Sequence, residues 1–221
     1  QAYAEPGVGE VELSMRASFD ATVEMLEALG PGYVPQSWEK AGAQAGFHGQ
    51  VGEQSALPHV LTSNARLQPG DVLVTIATAT VAGYGSELER TMFMGEPSPE
   101  QRRFFELMLE ARAAALEVMR PGVACSAVDA AVRDFFRAHG LMAFWRHHTG
   151  HGLGRLLHEP PYLDVGDRRV LEPGMVVSVE PGIYVPGLGG FRHSDTVVVT
   201  HDGVRFITTY PRSLEELVIP C

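Results

Sequence analysis

Apolar residues recur along the chain at two spacings, and these divide it into helices and strands. Val11, Met15, Phe19, Val23 and Leu26 fall at helical spacing, which predicts a helix from Glu10 that Gly30 stops. A long amphipathic helix is predicted from Pro99 to Met119, with Phe104, Phe105, Leu107, Met108, Leu109, Leu116 and Met119 on its apolar side. Ser98 precedes it and Pro99 takes the first helical position, where a missing N–H is harmless. A further helix is predicted from Ala127 to His139, ended by Gly140. Asp71 to Ala79, rich in Val, Ile and Thr, reads as a strand, as do Met175 to Val179 and Thr196 to Thr200. His201-Asp202-Gly203 supplies a hairpin-type turn after the last of these.

The pattern also repeats. Leu67-Gln68-Pro69-Gly70-Asp71-Val72-Leu73-Val74 resembles Leu171-Glu172-Pro173-Gly174-Met175-Val176-Val177-Ser178. Pro6-Gly7-Val8 ahead of one helix resembles Pro121-Gly122-Val123 ahead of another. The two matches predict a duplicated half-domain, with chemistry drawn from both halves. Chance is the competing explanation, because Pro-Gly turns commonly precede strands and helices.

Composition narrows the function classes. The 221 residues carry 17 Lys+Arg against 27 Asp+Glu, a net charge of −10, which disfavours nucleic acid or an anionic membrane as the main partner. A hydrophobic fraction of 45% fits a folded globular chain, and no apolar run reaches the ~20 residues of a membrane span. Residues 1–12 lack the basic start and apolar run of a signal peptide. Cys125 and Cys221 are the only cysteines, so no disulfide framework is expected and a cytoplasmic location is.

Five segments concentrate the chemistry. The first holds His147, His148, His151 and His158, with glycines at 150, 152 and 154 alternating with His151 and Leu153. In a strand that alternation strips one face of side chains, admits a neighbour close to the backbone, and sends His151 to the other face. The second is Val179-Glu180-Pro181-Gly182-Ile183-Tyr184, where a carboxylate at a buried strand end needs a cation or a partner. The third is Ser86-Glu87-Leu88-Glu89-Arg90-Thr91, whose two glutamates share one face of a strand. The fourth is Gly190-Phe191-Arg192-His193-Ser194-Asp195-Thr196, and the fifth is Leu57-Pro58-His59. Blander readings stand beside these: a solvated turn for Glu180, a surface Glu–Arg cluster for Glu87 and Glu89, a loop residue for His59.

Gly150-His151-Gly152-Leu153-Gly154 with His158-Glu159-Pro160, Leu171-Glu172-Pro173-Gly174, Val179-Glu180-Pro181-Gly182 and Gly190-Phe191-Arg192 before Asp195-Thr196-Val197 resemble, in order, the pita-bread hydrolases. That family includes Xaa-Pro aminopeptidases, prolidases, methionine aminopeptidases and the metal-free creatinase. The resemblance covers about Pro6 to Pro220. It implies an α+β fold of two pseudo-symmetric halves around a curved antiparallel sheet, and a homodimer. One catalytic-type domain is expected over residues 1–221. Two-domain members of the peptidase branch also carry a separate N-terminal domain that is not recognised here, so the sequence is compatible with a fragment of a longer protein.

The peptidases hold two divalent metals with two Asp, one His and two Glu. The resemblance places His151, Glu180 and Glu87 on three of those positions, with Glu87 standing for an Asp. Ile76 and Ser194 fall on the other two. Ile76 offers no lone pair and Ser194 only a neutral hydroxyl. At most one divalent ion is therefore expected, or none. His59, His147 and His158 match histidines at the substrate side and are the expected catalytic groups. Glu89, Arg192 and His193 are expected to bind substrate, Glu89 by analogy with the Glu-Arg-Thr segment of creatinase. The resulting expectation is an Xaa-Pro peptidase-like hydrolase of a small molecule or short peptide with a degenerate, at most mononuclear centre. The alternatives are a metal-independent, creatinase-like amidino or amide hydrolase and a non-catalytic peptide-binding module.

Overall fold

In a computed structural model of the chain, which describes residues 1–34 and 42–221, the repeated Pro-Gly segments build the same unit twice. Gly7 and Gly122 adopt φ of +87° and +85°, and Gly70 and Gly174 adopt +91° and +93°, a region open to glycine but poorly to other residues. Their hydrogen bonds also correspond. Gly7 N–H donates to Leu67 C=O and Gly122 N–H to Leu171 C=O, while Leu67 and Leu171 donate back to Val8 and Val123. Gly70 N–H donates to Met94 C=O and Gly174 N–H to Val199 C=O.

Each half carries a helix and an antiparallel strand pair after these turns. The first half runs α1 (Glu10–Leu29), β1 (Ala43–Val51), β2 (Val72–Val81) and β3 (Tyr84–Met94). Two helices follow, α2 (Pro99–Val118) and α3 (Cys125–Ala138), then the short β4 (Gly150–Gly152) and β5 (Glu159–Leu163). The second half closes with β6 (Val176–Val179), β7 (Gly182–Val185), β8 (Gly189–Arg192), β9 (Ser194–Val199), β10 (Val204–Phe206) and β11 (Val218–Ile219). The main sheet has the order β1-β2-β3-β9-β6-β4-β5, and β7 and β8 form a separate two-stranded ribbon. All pairings are antiparallel except that of β11 on β3. The halves meet at the antiparallel β3–β9 pair, where Leu88 faces Asp195 and Glu89 faces Ser194.

The predicted helices and strands form close to their expected bounds. Ser98 caps α2 in a reciprocal arrangement with Gln101, and Pro99 occupies its first turn. The helices α2 and α3 bury Phe105, Met108, Val128, Val132 and Phe136 against Phe93, Val177 and Val197 of the sheet. The turn at His201-Asp202-Gly203 joins β9 to β10.

The helix α1 behaves differently. Its apolar stripe points outward, with Met15 69% and Phe19 68% exposed. The face turned to the sheet is small and hydroxylic: Ser18 Oγ accepts from Phe47 N–H at 2.8 Å and Thr22 Oγ1 from Ala45 N–H at 3.1 Å. Strand β1 is an edge strand, and these hydroxyls satisfy N–H groups that the ladder leaves free. Among the described residues no helix is long and apolar enough to cross a membrane.

The glycine alternation in β4 has the expected effect. A Cβ on Gly150 would collide with the backbone carbonyl of Ser178, and one on Gly152 would meet Glu159 C=O at 2.6 Å. Both obstacles are backbone and cannot rotate away. Gly150→Ala should therefore destabilise the protein by about 1–3 kcal/mol or more, read as a lower urea midpoint with an unchanged slope.

Candidate functional site

Strand register assembles the cleft. Ile76 on β2 is the cross-strand partner of Glu89 on β3, and Glu89 is in turn the partner of Ser194 on β9. Directly opposed residues share a face, so the two positions without a carboxylate flank one that has it. Glu87, two residues from Glu89, lies on the same face. On the other side, Glu180 N–H donates to Thr149 C=O, and the close approach at Gly150 brings His151 beside Glu180. His151 Nε2 lies 3.3 Å from Glu180 Oε1 and 3.7 Å from Glu87 Oε1. Carboxylate oxygens of Glu87, Glu89 and Glu180 come within 4.8 Å of one another, and all three residues are buried.

Like charges this close cannot stand alone, and each has found a different answer. Glu89 is gripped by Arg192, whose Nε and Nη2 both meet the carboxylate, Nη2 at 2.6 Å. Burial opposes both charges, and the carboxylate beside the guanidinium outweighs this and holds Arg192 above its usual range. Burial alone would raise Glu180; the His151 ring beside it outweighs this, with the Arg192 charge adding to it, and holds the carboxyl well below the usual range. The same contact raises His151 in spite of its burial. Glu87 has only the Ser194 hydroxyl, donating to Oε1 at 3.1 Å, and burial with two neighbouring carboxylates pushes it well up.

The expected substrate-binding residues must be corrected. Glu89 and Arg192 bind each other, so neither is free to hold a substrate ion. Arg192 is further fixed by Nη1 donating to Tyr184 Oη at 2.7 Å and to Pro58 C=O at 2.9 Å. His193 does not join the cleft. It alternates with Arg192 and Ser194 along the chain, so its ring turns to the opposite face and packs edge-on against Phe105, centroids 5.2 Å apart. There it is fully buried with neither ring nitrogen hydrogen-bonded.

The expected catalytic histidines separate into two kinds. Burial, then the nearby Arg192 charge, pushes His147 down to about 4. Its Nδ1 donates to His148 C=O at 2.8 Å, a tautomer assigned from that partner, so Nε2 accepts from Tyr184 Oη at 2.7 Å. His147 thus braces Tyr184, which braces Arg192. His59 and His158 stay exposed at the mouth, rings 6.3 Å apart. His158 stacks on His151 at 3.8 Å, and its Nε2 lies 4.0 Å from Glu87 Oε2. Desolvation lowers both; Arg192 adds to the effect on His59 and His151 to that on His158.

Three contributors were not singled out by the sequence reasoning. Tyr184 lay inside a quoted segment without a role. His48 is the cross-strand partner of Ile76, and its Nε2 meets Val60 C=O at 2.9 Å, tying down the loop that carries His59. On the far face, buried Asp195 takes Arg90 at 2.9 Å, Arg212 at 2.8 Å, Thr208 at 2.7 Å, and Arg112. Only the Asp-Thr-Val signature after Ser194 hinted at that cluster.

A single divalent ion fits the donor set. His151 Nδ1 faces Gly152 C=O at 3.1 Å, which leaves Nε2 buried and without a hydrogen-bond partner. That is the usual setting of a ligating imidazole. Two ligands of one ion at ~2.1 Å and tetrahedral angle stand ~3.4 Å apart, close to the His151–Glu180 and His151–Glu87 separations. A second ion does not fit: Ile76 has no donor atom, Ser194 gives its proton to Glu87, and both Glu89 oxygens meet Arg192.

Comparison with known proteins identifies the family and the fold. The family model described as Metallopeptidase family M24 matches residues 2–201. The Xaa-Pro dipeptidase of Pyrococcus furiosus is 39% identical over 163 residues, 74% of this chain and 47% of the relative. The solved Xaa-Pro dipeptidase from Bacillus anthracis superposes with a TM-score of 0.86 and 33% identity over 99% of this chain and 57% of that one. Dipeptidase PepE from Mycobacterium ulcerans gives 0.83 and 35%, over 100% of this chain and 55% of that one. The chain spans about half the length of the curated relatives it matches.

The Asp195 cluster makes a prediction about acid stability. Burial opposes its charge, but Arg212, Arg112 and Arg90 outweigh this and depress its pKa below the ordinary 3.8. A depressed carboxyl contributes stability in full above the unfolded value and loses it as pH falls through the folded value. Asp195→Asn should cost about 3–5 kcal/mol at neutral pH by leaving buried guanidinium groups uncompensated. It should also flatten the acid limb of stability against pH, measured by urea unfolding from pH 7 to 3.

Proposed function

The chain belongs to metallopeptidase family M24, and on that premise we propose that its cleft hydrolyses a C–N bond in a short peptide or similarly small substrate, Xaa-Pro dipeptides first, with at most one divalent ion. The observation that carries this reading is the free, buried His151 Nε2 aimed between Glu87 and Glu180, beside an Ile76 that cannot ligate. Glu87, His151 and Glu180 would hold the ion, which would supply Lewis-acid polarisation and an activated water. His59 and His158 stand where a substrate enters. Both are imidazoles held below their ordinary value, suited to accept a proton near neutral pH. The Arg192–Tyr184–His147 chain fixes the floor beneath them.

A second reading is supported by one specific feature. Glu89 already has Arg192 and Glu180 already has His151, so the cleft contains cations of its own. Hydrolysis without a metal, in the manner of creatinase, is compatible with that pairing, although Glu89 is not free to grip a substrate cation. A homodimer and a cytoplasmic location complete the proposal, the latter because Cys125 and Cys221 are both unpaired. Light scattering tests the dimer.

The deciding experiment combines metal analysis with turnover. After exposure to excess manganese, cobalt or zinc and desalting, the protein should retain no more than one ion per chain; two would sink the reading. Against Xaa-Pro dipeptides, His59→Ala should lower the rate on the order of a hundredfold or more, and Glu87→Ala or chelator should abolish it. Turnover that survives chelator and Glu87→Ala selects the metal-independent reading. Saturable binding without turnover selects a peptide-binding module.

A further inference from the structure

The three buried carboxylates of the cleft are not equivalent. Glu87 and Glu180 flank the free nitrogen of His151. Glu89 sits at the other end of the group, in the cross-strand row Ile76–Glu89–Ser194. Its partner Arg192 is 1% exposed and has no freedom to swing away. Two of its nitrogens meet Glu89, and the third is held by Tyr184 Oη and Pro58 C=O. Tyr184 is held in turn by His147.

Charge counting then limits what the cleft can accept. Glu89 and Arg192 cancel. Glu87 and Glu180 remain, and one divalent ion neutralises them. A second would place two further positive charges beside a buried guanidinium with no anion to meet them, which is strongly unfavourable in a desolvated site.

We propose that the Glu89–Arg192 ion pair is a built-in cation site that stands in for a second divalent ion. The guanidinium permanently occupies the third carboxylate and restricts the centre to one ion at the Glu87–His151–Glu180 end. Arg192 is accordingly a positioning and charge-setting residue that does not touch substrate. The inference rests on the one-ion reading above, and the experiment below separates the two.

The test counts ions and melting temperatures, not turnover. Manganese binding is measured by calorimetry and elemental analysis on wild type, Arg192→Met, Glu89→Gln and the double variant. Wild type should take one ion. Arg192→Met exposes Glu89 to a second ion, so uptake should rise to two; its melting temperature should fall in chelator and recover in millimolar manganese. The double variant should return to one ion, and its melting temperature should respond to manganese no more than wild type does. Glu89→Gln leaves the guanidinium unopposed, so the first ion should bind more weakly, on the order of tenfold.

Arg192→Met taking up no more manganese than wild type would overturn the proposal. So would Glu89→Gln binding the first ion as tightly as wild type, and this arm decides alone if Arg192→Met fails to fold. A wild type that takes no ion, with Arg192→Met taking one, would sink the one-ion reading while supporting the pair.

Discussion

A carboxylate removed from water needs a cation, a proton or a hydrogen-bond donor, and this cleft gathers three of them on one sheet face. The rest of the site is organised around that constraint. Glu89 is met by Arg192 from β8, Glu180 by His151 from β4, and Glu87 by the Ser194 hydroxyl from β9. The short strands β4 and β8 exist at these positions because glycines let the backbone come close enough: Gly150 against Ser178, Gly190 against Ser55. The cations are delivered by backbone contacts that larger residues would forbid.

The same logic operates with reversed sign on the other face of β9. Ser194 turns to the cleft and its neighbour Asp195 turns away, where one carboxylate receives Arg90, Arg112 and Arg212. These arginines come from β3, α2 and the C-terminal segment, so a single strand ties the floor of the cleft to the helical layer behind it. His193, neutral and buried between the two systems, adds packing against Phe105 without adding charge.

The repeat was legible in the sequence because it rests on local chemistry: Pro-Gly turns require a positive φ, and that requirement survives duplication. The His151 and Glu180 segments were legible for the same reason, since glycine spacing and a carboxylate at a strand end are local signals. The pairing of Glu89 with Arg192 was not, because it depends on the β3–β9 register, set by contacts between residues about a hundred positions apart. The fate of His193 was obscured by its position between two cleft residues, although strand alternation alone would have sent it to the opposite face. The outward stripe of α1 reversed the ordinary expectation for an amphipathic helix, because free N–H groups on the edge strand β1 drew Ser18 and Thr22 inward.

Register also changes what a missing ligand means. Read along the chain, Ile76 and Ser194 are two losses, and a site with two losses looks like a site in decay. Read across the sheet, they are the two neighbours of Glu89. Cross-strand partners present their side chains to the same face at nearly the same depth, so a carboxylate can move one strand over and still enter the same cluster. Three carboxylates share the cleft, and the guanidinium that meets Glu89 is held by its own brace of Tyr184 and His147. Decay would be expected to loosen such a brace, because a buried ion pair without its supporting hydrogen bonds costs stability. Here Arg192 Nη1 is held by Tyr184 and Pro58 and Nη2 by Glu89, with Nε in ion contact with the same carboxylate, while the histidines at the mouth remain open.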